Sequence, residues 1–326
     1  MQSMRTLLCA LILLVLPMAS VADDKPGATA VAGFTDTALG FDRLPKEGAR
    51  YRDGDFEVAG GADPRWSPWN PRHMDIARRR AEQAGAGLRR LTNHPYLLSL
   101  RGDREGAEVG LAKARAQYPN SVGLHWSEGW IRLNLLDFEG ALVAWQQAER
   151  LHGGQPFWVP YTKAIALVGI GDDAAALAWW QVAQRALAPD LDTAVGARQR
   201  FSHWRVTEKI LLEELIQFAY PRSAPAAIVD GRGYLEMTHA PVPMYPVELM
   251  RQGVEGTVLV KLKVGQDGLP GQVRIERSSG YPAFDEEALK VAKLARFELP
   301  QGATKPVWAL VPYRFGAAAG GRAATE

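Results

Sequence analysis

Gly256-Thr257-Val258-Leu259-Val260-Lys261-Leu262-Lys263-Val264 alternates strictly, with Val258, Val260, Leu262 and Val264 on one side and Thr257, Leu259, Lys261 and Lys263 on the other. A period of two predicts a strand half-buried against a core. Gln266-Asp267-Gly268 follows as a hairpin turn, and Val273 and Ile275 begin a returning strand that ends at Ser278-Ser279-Gly280. The period then changes. Phe284, Ala288, Val291, Ala292 and Ala295 recur at helical spacing after Tyr281-Pro282. Asp285, Glu286 and Glu287 fall in the first turn, where the helix dipole favours negative charge. After Pro300 and Gly302 the chain alternates again, with Val307, Ala309, Val311, Tyr313 and Phe315 on one face and Trp308, Leu310 and Arg314 on the other. The order strand, strand, helix, strand predicts a small α+β domain.

Several spaced residues sit on these elements: Tyr245-Pro246, Glu255-Gly256, Gly268, Ser278-Ser279-Gly280, Phe284-Asp285, Ala288, Arg296-Phe297 and Val311-Pro312-Tyr313-Arg314-Phe315. In them the segment 236–317 resembles the TonB C-terminal domain family, with Tyr245, Pro246, Gly256, Gly268, Ser279, Gly280, Asp285 and Phe297 as the motif positions. The resemblance implies a small sheet with one or two helices on it, docking a TonB-box-like peptide of an outer-membrane receptor beside its last strand. Docking of that kind needs an edge strand with unpaired N–H and C=O groups. Pro312 has no N–H and argues for an edge position. The expected peptide-binding strand is therefore Val307, Trp308, Ala309, Leu310, Val311, Tyr313, Arg314 and Phe315. Trp308, Leu310 and Arg314 are expected to confer selectivity, unless Trp308 and Leu310 pack under the helix or a dimer partner.

Upstream, residues 72–220 read as helical, rich in Ala, Leu, Arg, Glu and Gln. A motif recurs there. Gly102-Asp103-Arg104-Glu105-Gly106-Ala107, Leu136-Asp137-Phe138-Glu139-Gly140-Ala141 and Gly171-Asp172-Asp173-Ala174-Ala175-Ala176 align at their last alanines, 34 and then 35 residues apart. Each is followed on the same helix face by a bulky and a small residue: Leu111 and Ala114, Trp145 and Ala148, Trp180 and Ala183. The pattern resembles the tetratricopeptide repeat family and implies an all-α helical-repeat solenoid. The first copy shows no clean first helix around Thr92 to Ser99, and His152-Gly153-Gly154 replaces the usual proline of the middle copy. Gly129 stands where the family has a small residue. Val206 to Phe218 is expected to cap the array with a polar outer face, leaving its concave side to a second protein partner.

The N-terminus reads as an export signal: Arg5, an apolar core from Leu7 to Met18, and small residues at Ser20-Val21-Ala22, with cleavage after Ala22. Cys9, the single cysteine, lies inside it, so the mature chain holds no disulfide or thiolate metal site. Retained, the same segment would anchor the chain in the inner membrane. The whole is multidomain: signal peptide 1–22, an extended or weakly structured arm 23–71 whose aromatics dock on the next domain, the repeats 72–220, a linker 221–235, the TonB-like domain 236–317 and a flexible tail 318–326.

The charges, 38 Lys plus Arg against 36 Asp plus Glu, leave +2 and create no field for nucleic acid. The six histidines show none of the spacings of zinc hydrolases. His152-Gly153-Gly154 has no Gly-x-Ser-x-Gly turn to go with it, and Ser278-Ser279-Gly280 has no general base near it in sequence. The expectation is no enzyme and no cofactor. It is a periplasmic adaptor that captures a receptor peptide by strand addition. The alternatives are an anchored energy transducer coupled to an inner-membrane motor, and a structural envelope protein that homodimerises through its C-terminal sheet.

Overall fold

The computed structural model describes residues 40–52, 66–229, 233–299 and 305–316, all within one unit, Gly33–Glu326. The expected signal peptide, its cleavage after Ala22, Cys9, most of the arm and the tail lie outside the described residues.

Helix α1 (Pro71–Glu82) leads into three helix pairs: α2 (Leu88–Ser99) with α3 (Arg104–Gln117), α4 (Val122–Asn134) with α5 (Phe138–His152), and α6 (Trp158–Ile170) with α7 (Asp173–Ala186). The recurring motif is the turn between the partners of each pair, built the same way three times. Gly102, Leu136 and Gly171 take left-handed φ values of 75°, 60° and 88°. The next backbone N–H, from Asp103, Asp137 or Asp172, bonds back to the carbonyl of Leu98, Arg132 or Leu167, which closes the first helix. The same aspartates accept from Gly106, Gly140 and Ala175 N–H at 2.9, 3.1 and 3.2 Å, which starts the second. The expected face residues, Ala107, Leu111 and Ala114 and their counterparts in the other copies, are all buried.

The first pair corrects an expectation. α2 is a complete helix despite Pro95, whose ring packs 3.0 Å from where a Cβ on Gly110 would lie, so the proline fills the α2–α3 contact. Gly129 admits Trp145 in the same way. A Cβ there would fall 2.1 Å from the indole nitrogen, which donates to Trp126 O at 3.2 Å.

Two further readings change in the last third of the chain. After α8 (Ala194–Arg200), α9 (Val206–Ala219) does not present a polar face to water. Glu208, Lys209, Glu213 and Glu214 are buried along with Ile210, Leu211, Leu212, Leu215 and Ile216, because α9 lies between the helix pairs and the sheet. On one side Tyr96 of α2 reaches Glu208 at 3.3 Å, and α9 packs on α4 and α6. On the other, Ile210 meets Ile228 and Leu259. The face lined by α2, α4 and α6, where a second protein partner was expected, is thus covered by this chain's own residues 201–218.

The expected linker 221–235 contains β1 (Ala226–Val229) and the start of β2 (Gly233–His239). Its prolines precede the strand, leaving the four ladder residues free of them. Then follow α10 (Val247–Arg251), β3 (Gly256–Val264), β4 (Pro270–Arg277), α11 (Pro282–Leu294), β5 (Arg296–Glu298) and β6 (Val307–Phe315). The predicted strands and helix are all present, joined by β1, β2, α10 and β5, which no period marked. The six strands form one antiparallel sheet in the order β4-β3-β6-β1-β2-β5. Its apolar face, from Val258, Val260, Leu262, Val264, Ala309, Val311, Tyr313 and Phe315, packs on Phe284, Ala288, Val291 and Ala292 of α11. The other face meets α9 over part of its width.

Candidate functional site

The site follows from where β6 stands. It was expected at a sheet edge, but it lies inside the sheet, between β3 and β1. The two flanks are unequal. β3 ladders along its whole length, from Gly256↔Phe315 to Val264↔Val307. Among the described residues, β1 meets β6 only at Ile228↔Leu310 and Val229↔Ala309. Pro312 sits beyond that point, so its missing N–H costs no ladder bond, and the argument from proline holds for the second half of the strand alone.

Past β1, a side chain takes over. Gln217 of α9 donates from Nε2 to Pro312 O at 3.0 Å and accepts from the Arg314 N–H at 3.3 Å on Oε1. A primary amide offers the same donor and acceptor as a peptide group, so Gln217 occupies the place of the next residue of an added strand. Beside it is a groove of about 100 Å³ lined by Pro221, Pro225, Pro241, Pro243, Tyr313 and Phe315 among others.

The three side chains expected to face outward have separate fates. Leu310 packs with Ile210 and Ile228 beneath α9. Arg314, 7% exposed, pairs with Asp173 of α7, stands 4.0 Å from Glu214 of α9, and lies over the Phe218 ring at 5.1 Å. Arg277 of β4 also reaches Glu214, at 3.0 Å. Burial pushes the Glu214 carboxyl above its ordinary range, and Arg277 and Arg314 oppose the rise. Only Trp308 faces the uncovered part of the sheet, with Lys261 and Lys263 5.7 and 5.9 Å from its ring. Ala309, Val311, Tyr313 and Phe315 pack in the core with α11 and hold the strand in place, whereas Val307, at the start of the strand, is half-buried outside that core.

The motif residues build the frame around the strand. Tyr245 donates to Val254 O and meets Phe284 edge-on at 5.5 Å, while Phe284 stacks on Phe315 at 4.2 Å. Pro246 is the N-cap residue of α10. Gly256 lets Ser279 approach at the head of β3. Gly268 holds φ 73° in the hairpin turn, where a Cβ would strike Phe297 O at 2.3 Å. Asp285 accepts from the Ser279 N–H and hydroxyl at 3.0 Å each, pinning the Ser278-Ser279-Gly280 turn to the start of α11. Phe297 is buried in the core under α11.

Residues 241–316 match the family model described as "Gram-negative bacterial TonB protein C-terminal". Over this segment the chain is similar to TonB C-terminal domains. Protein tonB2 of Pseudomonas aeruginosa is 39% identical over 85 residues, which is 26% of this chain and 30% of that protein. The chain therefore spans under a third of the length of the curated relative it matches. No solved structure matches. The TonB domain begins after β1 and β2, so the strand that flanks β6 comes from outside the matched segment.

Sequence reading missed Gln217 and the α9 carboxylates. A glutamine inside a helix carries no local signal for a bond to a strand 95 residues away. Among the described residues no group of histidines, cysteines or carboxylates is arranged to hold a metal.

Proposed function

We propose that this chain is an exported TonB-family adaptor of the periplasm that captures an extended segment of an outer-membrane receptor by adding it to β6. The observation that carries the reading is the incomplete outer flank of β6. Its ladder with β1 stops at Leu310, and the Pro312 carbonyl and Arg314 N–H are held by one side chain beside a groove. Main-chain bonds along such a flank supply affinity, while the neighbouring prolines and Tyr313 shape what side chains enter. The chain works by binding, without a catalytic step.

The test is titration of isotope-labelled protein with synthetic peptides copying the periplasmic N-terminal segments of the host's own outer-membrane receptors. Resonance shifts centred on residues 309–316 and 226–229 are expected. Shifts confined to β4, or no binding by any peptide, would sink the reading.

The family match favours a second reading, an energy transducer held in the inner membrane by a retained N-terminal segment and coupled to a motor there. Among the described residues no helix is long and apolar enough to cross a membrane, so the two readings part at the N-terminus. Intact mass from fractionated cells separates them. A chain beginning at Asp23 in the periplasmic fraction supports the adaptor, and full-length protein in the inner membrane supports the transducer. Dimerisation through the last strand has less support, since β6 is flanked on both sides.

A further inference from the structure

We infer that β1 and Gln217 together form a latch: they occupy the strand-addition flank of β6 in cis, and an incoming peptide binds only by displacing β1. This rests on the strand-addition reading above and concerns how the site is controlled. Three observations converge on it. β1 runs antiparallel to β6 through Ile228↔Leu310 and Val229↔Ala309, so it uses the backbone groups that an added strand would need. Gln217 continues the same line of hydrogen bonds at Pro312 and Arg314, although it belongs to a helix. Both elements lie outside the TonB domain, which spans 241–316. The chain therefore supplies its own competitor from the helical side.

The four-residue β1 adds little ladder to β6, whereas the β3–β6 ladder extends over nine-residue strands. Short ladders next to long ones open sub-globally while the rest of the fold stays intact. β1 keeps its own partner β2 through Ala226↔Glu236 to Val229↔Gly233, so the hairpin can leave β6 as a unit without losing all its backbone bonds. A tethered competitor acts at high effective concentration, so a receptor peptide must offer more than β1 does, which sets a threshold for capture.

The experiment uses the full chain with Val229→Cys and Ala309→Cys in a Cys9→Ser background. The two positions face each other across β1 and β6, and directly opposed strand residues lie within disulfide reach. The same synthetic receptor peptides are titrated into the oxidised and reduced forms and into Gln217→Ala. We expect binding to be lost in the oxidised form and restored on reduction. Gln217→Ala should bind about tenfold more tightly than the unaltered chain, equivalent to about 1.4 kcal/mol. If the oxidised form binds as well as the reduced one, the latch is wrong while peptide capture stands, the peptide then entering elsewhere. If no form binds, peptide capture fails and the latch with it. Hydrogen exchange without any peptide gives an independent reading. Amides of 226–229 should exchange well ahead of the β3–β6 ladder, and exchange in step with it would overturn the latch.

Discussion

Leu136 holds φ 60° at the turn between α4 and α5, where the other two copies of the motif have Gly102 and Gly171. A leucine Cβ is crowded in the left-handed region, and glycine is not. Its side chain is 53% exposed, so little packing opposes replacement. Leu136→Gly should raise stability by about 0.5–1 kcal/mol in chemical denaturation, glycine's greater freedom in the unfolded chain offsetting part of the gain. Glu128 on α4 illustrates the opposite case, a residue that fits its place closely. Burial alone would raise its carboxyl, but the nearby His125 imidazole and the hydrogen bonds from Arg115 and Arg132 outweigh burial and hold it well below the usual carboxylate range. Arg115 approaches at 2.6 Å and Arg132 at 2.9 Å. As pH falls through the ordinary value of 4.5, the unfolded chain takes up this proton first. The stabilisation is therefore complete above that value and drains away as pH drops toward the depressed folded one. Glu128→Gln should cost about 2–3 kcal/mol near neutral pH. The deficit should shrink steadily below pH 4.5 in denaturation curves taken across that range. A deficit unchanged with pH would show that the carboxylate charge is not the cause.

At the scale of elements, α9 carries most of the explanation. A helix facing water on one side buries a single stripe, but α9 is covered on both, by the helix pairs and by the sheet, and the polar residues caught between must find partners. They do. Glu213 receives two bonds from Arg198, at 2.7 and 2.8 Å, and Glu214 meets Arg277 and Arg314. Arg314 is the point where α7, α9 and β6 meet, through Asp173, Glu214 and Phe218. Arg314→Leu keeps much of the apolar contact but leaves two carboxylates short of a cation in a buried setting. It should cost about 3 kcal/mol by thermal or chemical denaturation. Arg277→Leu, where the side chain removed is 41% exposed, should cost less. Equal losses would show that the Arg314 cluster contributes no more than a surface pair.

Over the whole molecule, the helix pairs and the TonB domain share α9, and this joint gives the helical part a role besides the expected recruitment of a partner. Its face along α2, α4 and α6 is filled by residues 201–218, with Trp204 5.6 Å from Trp130 and Phe201 5.0 Å from Tyr161. The same segment delivers Gln217 to β6 and leads directly into β1. Part of the arm is also tied down. Phe41 and Tyr51 are buried, Tyr51 donates to Glu149 at 2.8 Å, and Glu149 in turn holds the fully buried Lys163 at 2.8 Å. The array thus binds segments of its own chain on two sides, and it meets the TonB domain through Asp173 on Arg314 and through α9, which reaches Leu259, Arg277 and β6.

By itself the sequence determined whatever is repeated within one element: the alternation of 256–264 and 307–315, the helical spacing after Tyr281, and the Asp-capped turns of the three helix pairs. Such periods record one face of one element meeting a core, and they can be read without knowing what lies opposite. Tertiary structure alone decided which strand flanks β6. Ala226-Ala227-Ile228-Val229 is too short to show a period and contains two alanines, which have little strand preference, so its pairing with Leu310 and Ala309 comes from long-range packing. The polar residues of α9 read as a solvent face for the same reason. A carboxylate looks alike in sequence whether it meets water or an arginine brought from another element, and only folding supplied Arg198, Arg277 and Arg314.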